Sequence, residues 1–390
     1  MDVALIRQSP IGQVVPIHGF DQRSGEEYAH WAYLPHPLPR EAALSTATWS
    51  IVTRAEAALA RLDEASRQVP EPALLRRPSL RREAQSTSAL EGTYAPFEEV
   101  LEPDVEERET LSLELRENLN YVVTAEAAFA WIAERPLTRA FLGELQLMLV
   151  KRTPGEHSDA GGLRDRQVII GAPGSRVVDS RFVPPPPGDQ LRAGVDDWLA
   201  WVNSPPAEYP AVVGAALAHY QFETLHPFSD GNGRIGRLLI VLQLMLDKVL
   251  AEPLLVVSPW FEERRTVYQD GLLNLTTTGD WDSWVSFFAE GVAAGADRTR
   301  RNIEDLLRWR DEAIRTVRRA RSSGVPERLA SDLIGAPVRT AGQVARQHQI
   351  SHQGAMNALR RLVELGLLEE YKRNGRRIFR AAAVIAILSQ

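Results

Sequence analysis

The chain has 390 residues, 44% hydrophobic and 25% charged, with a formal net charge of −6 at pH 7. That length suggests two or three domains and lets about three quarters of the unfolded surface be buried without staples. The absence of cysteine excludes disulfides, thiolate metal sites and cysteine nucleophiles.

Charge is unevenly spread. From Asp297 onward there are 19 Lys and Arg against 10 Asp and Glu, a local +9 that leaves −15 on the first 296 residues. A cationic C-terminal quarter points to an anionic partner, nucleic acid being the usual one. The first residues show no basic segment followed by an apolar one, so no signal peptide is expected. The most apolar stretch, Ile235 to Val257, is broken by Arg237, Asp247, Lys248 and Glu252. It reads as a buried helix rather than a membrane span, and a cytoplasmic location follows as the expectation.

No fixed-period repeat is visible, which argues against solenoids and propellers. Residues 1–40, rich in Pro, Gly and polar residues, are expected to form an irregular N-terminal arm. Helical spacing begins at Ser45 to Arg67 and, after a proline-containing break, resumes at Ser79 to Glu91, closed by Gly92. Further helices are expected at Pro96 to Leu101, Glu106 to Glu134 and Leu137 to Lys151. The segment Gln167 to Val183 changes period. Its β-branched residues flank the turn signal Ala172-Pro173-Gly174-Ser175, so a β-hairpin is expected, ended by Pro184 to Pro187. Helices then follow at Gly188 to Asn203, Ala211 to Leu225, Asn232 to Lys248, Phe261 to Leu275, Trp281 to Gly291 and Asp297 to Arg321. Trp281, Trp284, Phe287 and Phe288 are at helical spacing and read as core.

The C-terminal part shortens its pattern. Val338 to Gln349 and His352 to Glu364 make a helix-turn-helix, and an alternating segment from Leu368 to Arg380 turns at Asn374-Gly375. This is the layout of a winged helix, with Arg360, Arg361, Lys372, Arg373, Arg376 and Arg377 where helix and wing would meet phosphates. Such a module contacts DNA or protein. The expected domain order is an arm at 1–40, a helical region at 41–120, a core at 121–296, an arginine-rich linker helix at 297–325 and a winged helix at 326–390.

The densest chemical signal is His226-Pro227-Phe228-Ser229-Asp230-Gly231-Asn232-Gly233-Arg234-Ile235-Gly236-Arg237. A helix ends at Pro227, a loop of small residues follows, and a new helix begins. Consecutive small residues let backbone N–H groups converge on an anion, and the next helix adds its N-terminal dipole. Arg234 and Arg237, one turn apart, can clamp phosphate oxygens. Asp230 suits a Mg²⁺ ion that bridges phosphates, and His226 is placed to take a proton from a hydroxyl. These are the parts that phosphoryl or nucleotidyl transfer requires. The glycines also match the dinucleotide fingerprint formally, but the preceding pattern is helical rather than a strand. His219 and His226, seven apart, lack a nearby third nitrogen or sulfur ligand for a metal.

The run resembles the signature of Fic domains, HPFx[DE]GNGRxxR, and matches it at every defined position. The resemblance extends through the expected hairpin before it and through Tyr268, Gly279-Asp280-Trp281 and Trp284 after it, over roughly Pro35 to Val292. It implies a mainly α fold, a Fic-type helical core with one β-hairpin flap. It implies transfer of AMP from ATP, with Mg²⁺, to a Ser, Thr or Tyr hydroxyl of a protein target. By position, His226 would be the general base and Asp230 the Mg²⁺ ligand. Gly231, Asn232, Gly233, Arg234, Ile235, Gly236 and Arg237 would form the ATP and phosphate site, with Arg237 on the γ-phosphate. Tyr268 and Gln269 would lie near the adenine, where the family often has a doubled Tyr. The hairpin would hold the target segment in extended form.

Thr87-Ser88-Ala89-Leu90-Glu91-Gly92 resembles the family's inhibitory helix, [ST]xxxE[GN]. A carboxylate in the last helical turn faces the negative end of the dipole, so Glu91 calls for a cation, and the resemblance names Arg237. Thr87, Glu91 and Gly92 would then restrain the enzyme. The same site is compatible with AMP removal, and with a nucleotide-sensing DNA-binding regulator. A homodimer is a further possibility that motifs do not decide.

Overall fold

The computed structural model describes residues 1–21, 25–69, 71–102, 111–172, 174–204, 209–373 and 375–390. Pro173 and Asn374 of the two expected turns, and the start of the Glu106 to Glu134 helix, lie outside the described residues. No helix among the described residues is long and apolar enough to cross a membrane.

The fold is mainly helical. In chain order come α1 (Val3–Ile6), β1 (Gly12–Asp21), β2 (Glu26–Pro35), α2 (Thr46–Arg67), α3 (Pro72–Leu90), α4 (Phe97–Leu101), α5 (Leu113–Ile132) and α6 (Arg139–Val150). Then follow α7 (Asp189–Val202), α8 (Ala211–Leu225), α9 (Asn232–Leu246), α10 (Ser258–Glu263), α11 (Arg265–Thr278) and α12 (Trp281–Arg319). The C-terminal part holds α13 (Val325–Asp332), β3 (Val338–Arg339), α14 (Ala341–His348), α15 (His352–Glu364), β4 (Glu369–Arg373), β5 (Arg376–Arg380) and α16 (Ala382–Leu388). The chain divides into two compact units: Met1–Leu59 with Val123–Ala251 and Trp260–Ala294, and Ala60–Val122 with Glu252–Pro259 and Gly295–Gln390.

The first unit corrects two expectations about strands. The N-terminal arm is not irregular. β1 and β2 form a ten-residue antiparallel ladder, in register from Gly12↔Pro35 to Asp21↔Glu26. Pro16 sits inside β1 opposite Trp31, which a two-stranded sheet tolerates because each strand has an unpaired edge. The prolines that made this segment read as loop are therefore compatible with a ladder. Conversely, Gln167 to Val183 is not a regular hairpin. Among its described residues it is closed by one isolated bridge, Ile170↔Phe182, and it carries a 3-10 turn at Val177–Asp179. The ladder backs this flap: the Tyr33 N–H donates to the Val183 carbonyl at 2.9 Å, and Ile17 and Ala32 pack with Val177 and Val183.

Two helix boundaries also differ for physical reasons. α12 runs unbroken through Gly291 and Gly295, which had read as a break. A Cβ at Gly291 would lie 2.8 Å from the Trp260 ring, and one at Gly295 2.7 Å from the Val256 carbonyl. The glycines answer close packing, not termination. α3 starts at Pro72, earlier than expected, and carries Pro78 inside it. Pro78 has no N–H for the Leu74 carbonyl, and Gly335 approaches that carbonyl so closely that a Cβ there would lie 2.6 Å away.

In the second unit, α3 ends in a Schellman motif. Gly92 has φ 93°, its N–H bonds Ala89 O and that of Thr93 bonds Ser88 O. Thr87 is buried, whereas Glu91 and Gly92 are exposed. The C-terminal part of this unit pairs β3, β5 and β4 in an antiparallel sheet of that order, beside α13, α14 and α15. Thr340 and Gln343 close a capping box on α14. Arg360, Lys372 and Arg376 are exposed. Arg373 pairs with Glu99 and Glu102, Arg380 with Glu98 and Glu369, Arg377 with Glu370 and Arg361 with Glu364.

In the first unit, Gly143 on α6 lets the loop after that helix settle against it, since a Cβ there would lie 2.1 Å from the Gly161 carbonyl. Gly143→Ala is expected to cost about 1–3 kcal/mol by overpacking. Urea unfolding reads the loss, and an unchanged midpoint would count against this packing.

Candidate functional site

α8 is buried on almost every side, so it cannot end by solvating its last carbonyls. It ends at His226, which takes the left-handed conformation (φ 48°, ψ 59°) and donates its N–H to Phe222 O. Pro227 then prevents continuation. The His226 ring sets Nδ1 3.3 Å from the Glu223 carbonyl. A carbonyl only accepts, so Nδ1 carries the proton and Nε2 keeps its lone pair.

The loop that follows is closed by its own asparagine. Asn232 Oδ1 accepts from the Phe228 N–H at 2.9 Å, and Nδ2 donates to the Phe228 carbonyl at 2.8 Å. The Asn232 side chain is thus committed to loop shape, and what it offers an anion is its main-chain N–H. Gly231 caps α9 at φ 85°, a conformation that disfavours a side chain. The N–H groups of Asn232 and Gly233 open α9, and a helix N-terminus of this kind is an arrangement able to take an anion.

Arg234 and Arg237 lie three apart on α9 and are both buried, Arg237 to 1% exposure. Arg234 Nη2 bonds Asp230 Oδ1 at 2.6 Å. Ile235 is fully buried, and Gly236 faces α8, where a Cβ would lie 2.4 Å from Glu223 Oε1.

The adenine-side pair divides. Tyr268 is buried, its hydroxyl 2.9 Å from His219 Nε2 and its ring stacked on Phe261, while Gln269 is exposed. Adjacent helical positions point about 100° apart, so one faces the core and the other leaves it. His219 Nδ1 lies 3.1 Å from Gly236 O, so it donates there and Nε2 accepts from Tyr268. Both ring nitrogens are used within the protein, which removes His219 as a metal ligand. Its ring lies among Phe261, Trp284 and Phe288, the aromatic core expected from helical spacing.

Several residues that shape this site carry no motif signal. Gln146 on α6 donates to Asp230 O at 3.2 Å and accepts from the Gly161 N–H at 2.7 Å. Ser229 donates to Asp159 Oδ2 at 2.5 Å and accepts from Arg166 Nε at 3.2 Å. Burial pushes the Asp159 carboxyl up, but hydrogen bonds from Ser229 and the Asp165 N–H, with the Arg166 charge, hold it below its usual range. Arg164, 1% exposed, binds carbonyls on both sides of the site. Their one trace in the sequence is a cluster of Gly, Asp and Arg before the flap, which reads as an ordinary loop without coordinates.

Among the described residues no group of three or more His, Asp or Glu could cage a metal. Asp230 is a single carboxylate whose side chain is 38% exposed. Gly155 runs past it so closely that a Cβ would lie 2.6 Å from Asp230 Cγ. One accessible carboxylate beside an anion site fits a Mg²⁺ that takes its remaining ligands from phosphates and water.

Fold and site together define a helical protein with a glycine-rich loop set between two buried helices and flanked by a flap. Residues 49–130 match the family model described as Fic/DOC family N-terminal, and residues 136–244 that described as Fic/DOC family. These two segments of the chain carry Fic/DOC family domains. Among curated relatives, Protein adenylyltransferase Fic of Aedes aegypti is 34% identical over 152 residues, 39% of this chain and 26% of that protein. Its namesake in Culex quinquefasciatus is 30% identical over 200 residues, 49% of this chain and 34% of that protein. The chain thus spans about a quarter to a third of these relatives. A Fic family protein from Desulfovibrio desulfuricans shares the fold at TM-score 0.57 and 20% identity, over 87% of this chain and 97% of that one. A Fic domain containing signaling protein from Bacteroides thetaiotaomicron superposes at 0.50 and 21% identity, over 64% and 96%.

Burial among the aromatic rings, with the Arg237 charge beside it, pushes the His219 imidazole down to about 3. The unfolded chain binds that proton near pH 6.5, so stability falls as pH drops below 6.5. Between pH 6.5 and 4.5 this group alone should cost about 2 kcal/mol. His219→Gln should flatten that part of the urea-unfolding pH profile, and an unaltered slope would refute the assignment.

Proposed function

We propose that the chain is a protein adenylyltransferase that transfers AMP from ATP to a hydroxyl of a protein target. The observation that carries this reading is the His226 ring, its Nδ1 held on Glu223 O, standing one short loop before the N-terminus of α9. A hydroxyl positioned by the flap gives its proton to Nε2 of His226 as its oxygen attacks the α-phosphorus of ATP. The bond from that phosphorus to the bridging oxygen breaks and pyrophosphate leaves. The main-chain N–H groups of Asn232 and Gly233 bind the phosphates, and Arg234 exchanges Asp230 for phosphate oxygens. Arg237 is assigned to the γ-phosphate. Asp230 would hold Mg²⁺ shared with the nucleotide, which neutralises phosphate charge when bound. The Ser, Thr or Tyr identity of the hydroxyl belongs to the same proposal, supported by the resemblance and by a flap with one short bridge, able to pair an extended segment.

Restraint by Glu91 is part of this reading. Its support is the sequence Thr87 to Gly92 and the α3 cap that fixes the helix end there. Sensing nucleotide without turnover is left as an outcome of the test below. For residues 326–390 we propose a winged-helix module that contacts protein rather than DNA. Its helix order and β3-β5-β4 sheet support the fold. Arg373 and Arg380 already engage the carboxylates of Glu98, Glu99 and Glu102, which favours an acidic protein surface as the occupant.

Wild type, Glu91→Gly and Glu91→Gly with His226→Ala are compared with Mg²⁺ and ATP labelled at the α- or the γ-phosphate. Label from the α-phosphate should enter protein in Glu91→Gly and fall by about 10²–10⁴-fold when His226 is removed. Transfer of γ-label would make the enzyme a kinase. Bound ATP without any transfer would favour the nucleotide-sensing regulator.

A further inference from the structure

We infer that Arg164 is a positioning residue whose guanidinium sets the spacing between the base of the flap and His226. This rests on the adenylyltransferase reading for its kinetic consequence, though not for its structural one. Arg164 lies on the loop between α6 and the flap and is buried. Its Nε donates to His226 O at 2.8 Å. Its Nη2 donates to Pro185 O at 2.5 Å and to Leu225 O at 3.4 Å, and Nη1 donates to Arg166 O at 3.2 Å. The Arg164 main-chain N–H donates to Pro227 O at 3.0 Å.

One residue therefore takes the carbonyls of three successive residues, Leu225, His226 and Pro227. Leu225 closes α8 and its carbonyl has no intrahelical partner, while His226 and Pro227 carry the chain out of the helix. The same cation reaches both ends of the flap, at Arg166 where it begins and at Pro185 just beyond its last residue. Burial pushes the guanidinium down to about 10, with Asp159 working in the opposite direction, so it remains a cation at neutral pH. A cation at the negative end of α8 is also favourable to the helix dipole.

The arrangement does two things to a transfer reaction. It keeps His226 in the backbone conformation from which Nδ1 reaches Glu223 O. It also ties the strand that would hold the target to the residue that would deprotonate it. Five N–H donors in a rigid plane make this possible, and an ammonium on a flexible stem cannot reproduce the fork. Flap position and base position are then one variable rather than two.

Arg164→Lys is the informative variant, since it keeps the charge and much of the stem. In the full chain carrying Glu91→Gly, kcat for α-label transfer should fall about 100-fold, the scale of an ångström misplacement. KM for ATP should stay within about twofold, because the phosphate contacts lie on α9. An unchanged kcat would overturn the inference. So would a parallel fall in kcat, ATP affinity and thermal midpoint, which marks a merely structural role.

A second measurement needs neither a variant nor turnover. In native-state hydrogen exchange of the wild-type chain along a urea series, the amides of 166–170 and 181–183 should share one opening free energy with those of 226–230. That free energy should be distinct from the one for 212–222. Separate openings for flap and motif loop would overturn the inference. If Glu91→Gly takes no label from ATP, the functional reading fails while the exchange result still decides the role of Arg164.

Discussion

The C-terminal end of α8 is the constraint from which the rest of the site follows. A helix buried along nearly its whole length reaches a proline and must stop where water is scarce. The carbonyls where it ends need donors, and Arg164 on the loop before the flap supplies them, its guanidinium to Leu225 and His226 and its main-chain N–H to Pro227. His226 takes the left-handed conformation there, the chain turns, and α9 starts after a loop of six residues, His226 to Gly231. The loop between the helices is then pinned at almost every step. Arg164 holds Leu225, His226 and Pro227, Asn232 holds Phe228, Asp159 holds Ser229 and Gln146 holds Asp230. Preorganisation of this kind is what an anion site needs, because donors that do not move at the moment of binding lose no energy to rearrangement.

The charges obey the same economy of burial. Arg234 and Arg237 project from a helix whose surroundings are apolar, and Arg234 is paired with Asp230. A buried cation is tolerable only with hydrogen-bonded company, which Asp230 supplies. His219 shows the opposite case. It stays neutral within an aromatic cluster and spends both nitrogens on a carbonyl and a phenol. Two histidines seven residues apart on one helix thus have unrelated chemistry, decided by what packs around each.

Much of the helical fold was legible because amphipathic spacing and caps are local. α2, α8, α9 and α15 begin and end within a residue or two of their expected limits, and the motif loop lies where its glycines put it. The failures were where a local signal had a non-local meaning. Gly291 and Gly295 read as breaks because their reason, the Trp260 ring and the Val256 carbonyl, is distant in sequence. Pro10, Pro16 and Pro35 read as an irregular arm because propensity does not know that a two-stranded ladder has only edges. The flap read as a hairpin because its β-branched residues are real, but they pack on β1 and β2 rather than pair at length with each other.

By itself the sequence determined the order of helices, the short loop from His226 to Gly231, the two arginines one turn apart and the likeness to Fic domains. These depend on spacing along a helix and on backbone permissiveness, both of which are read residue by residue. Tertiary structure alone decided which of those residues face the loop and which face the core. It buried Ile235 and turned Gly236 toward α8, sent Tyr268 inward to His219 and left Gln269 outside. It also brought Gln146, Asp159 and Arg164 to the motif from a segment with no signature of its own. Hydrogen bonds to backbone carbonyls leave no complementary side chain to recognise, so a buried arginine that meets three of them is invisible until the chain is folded.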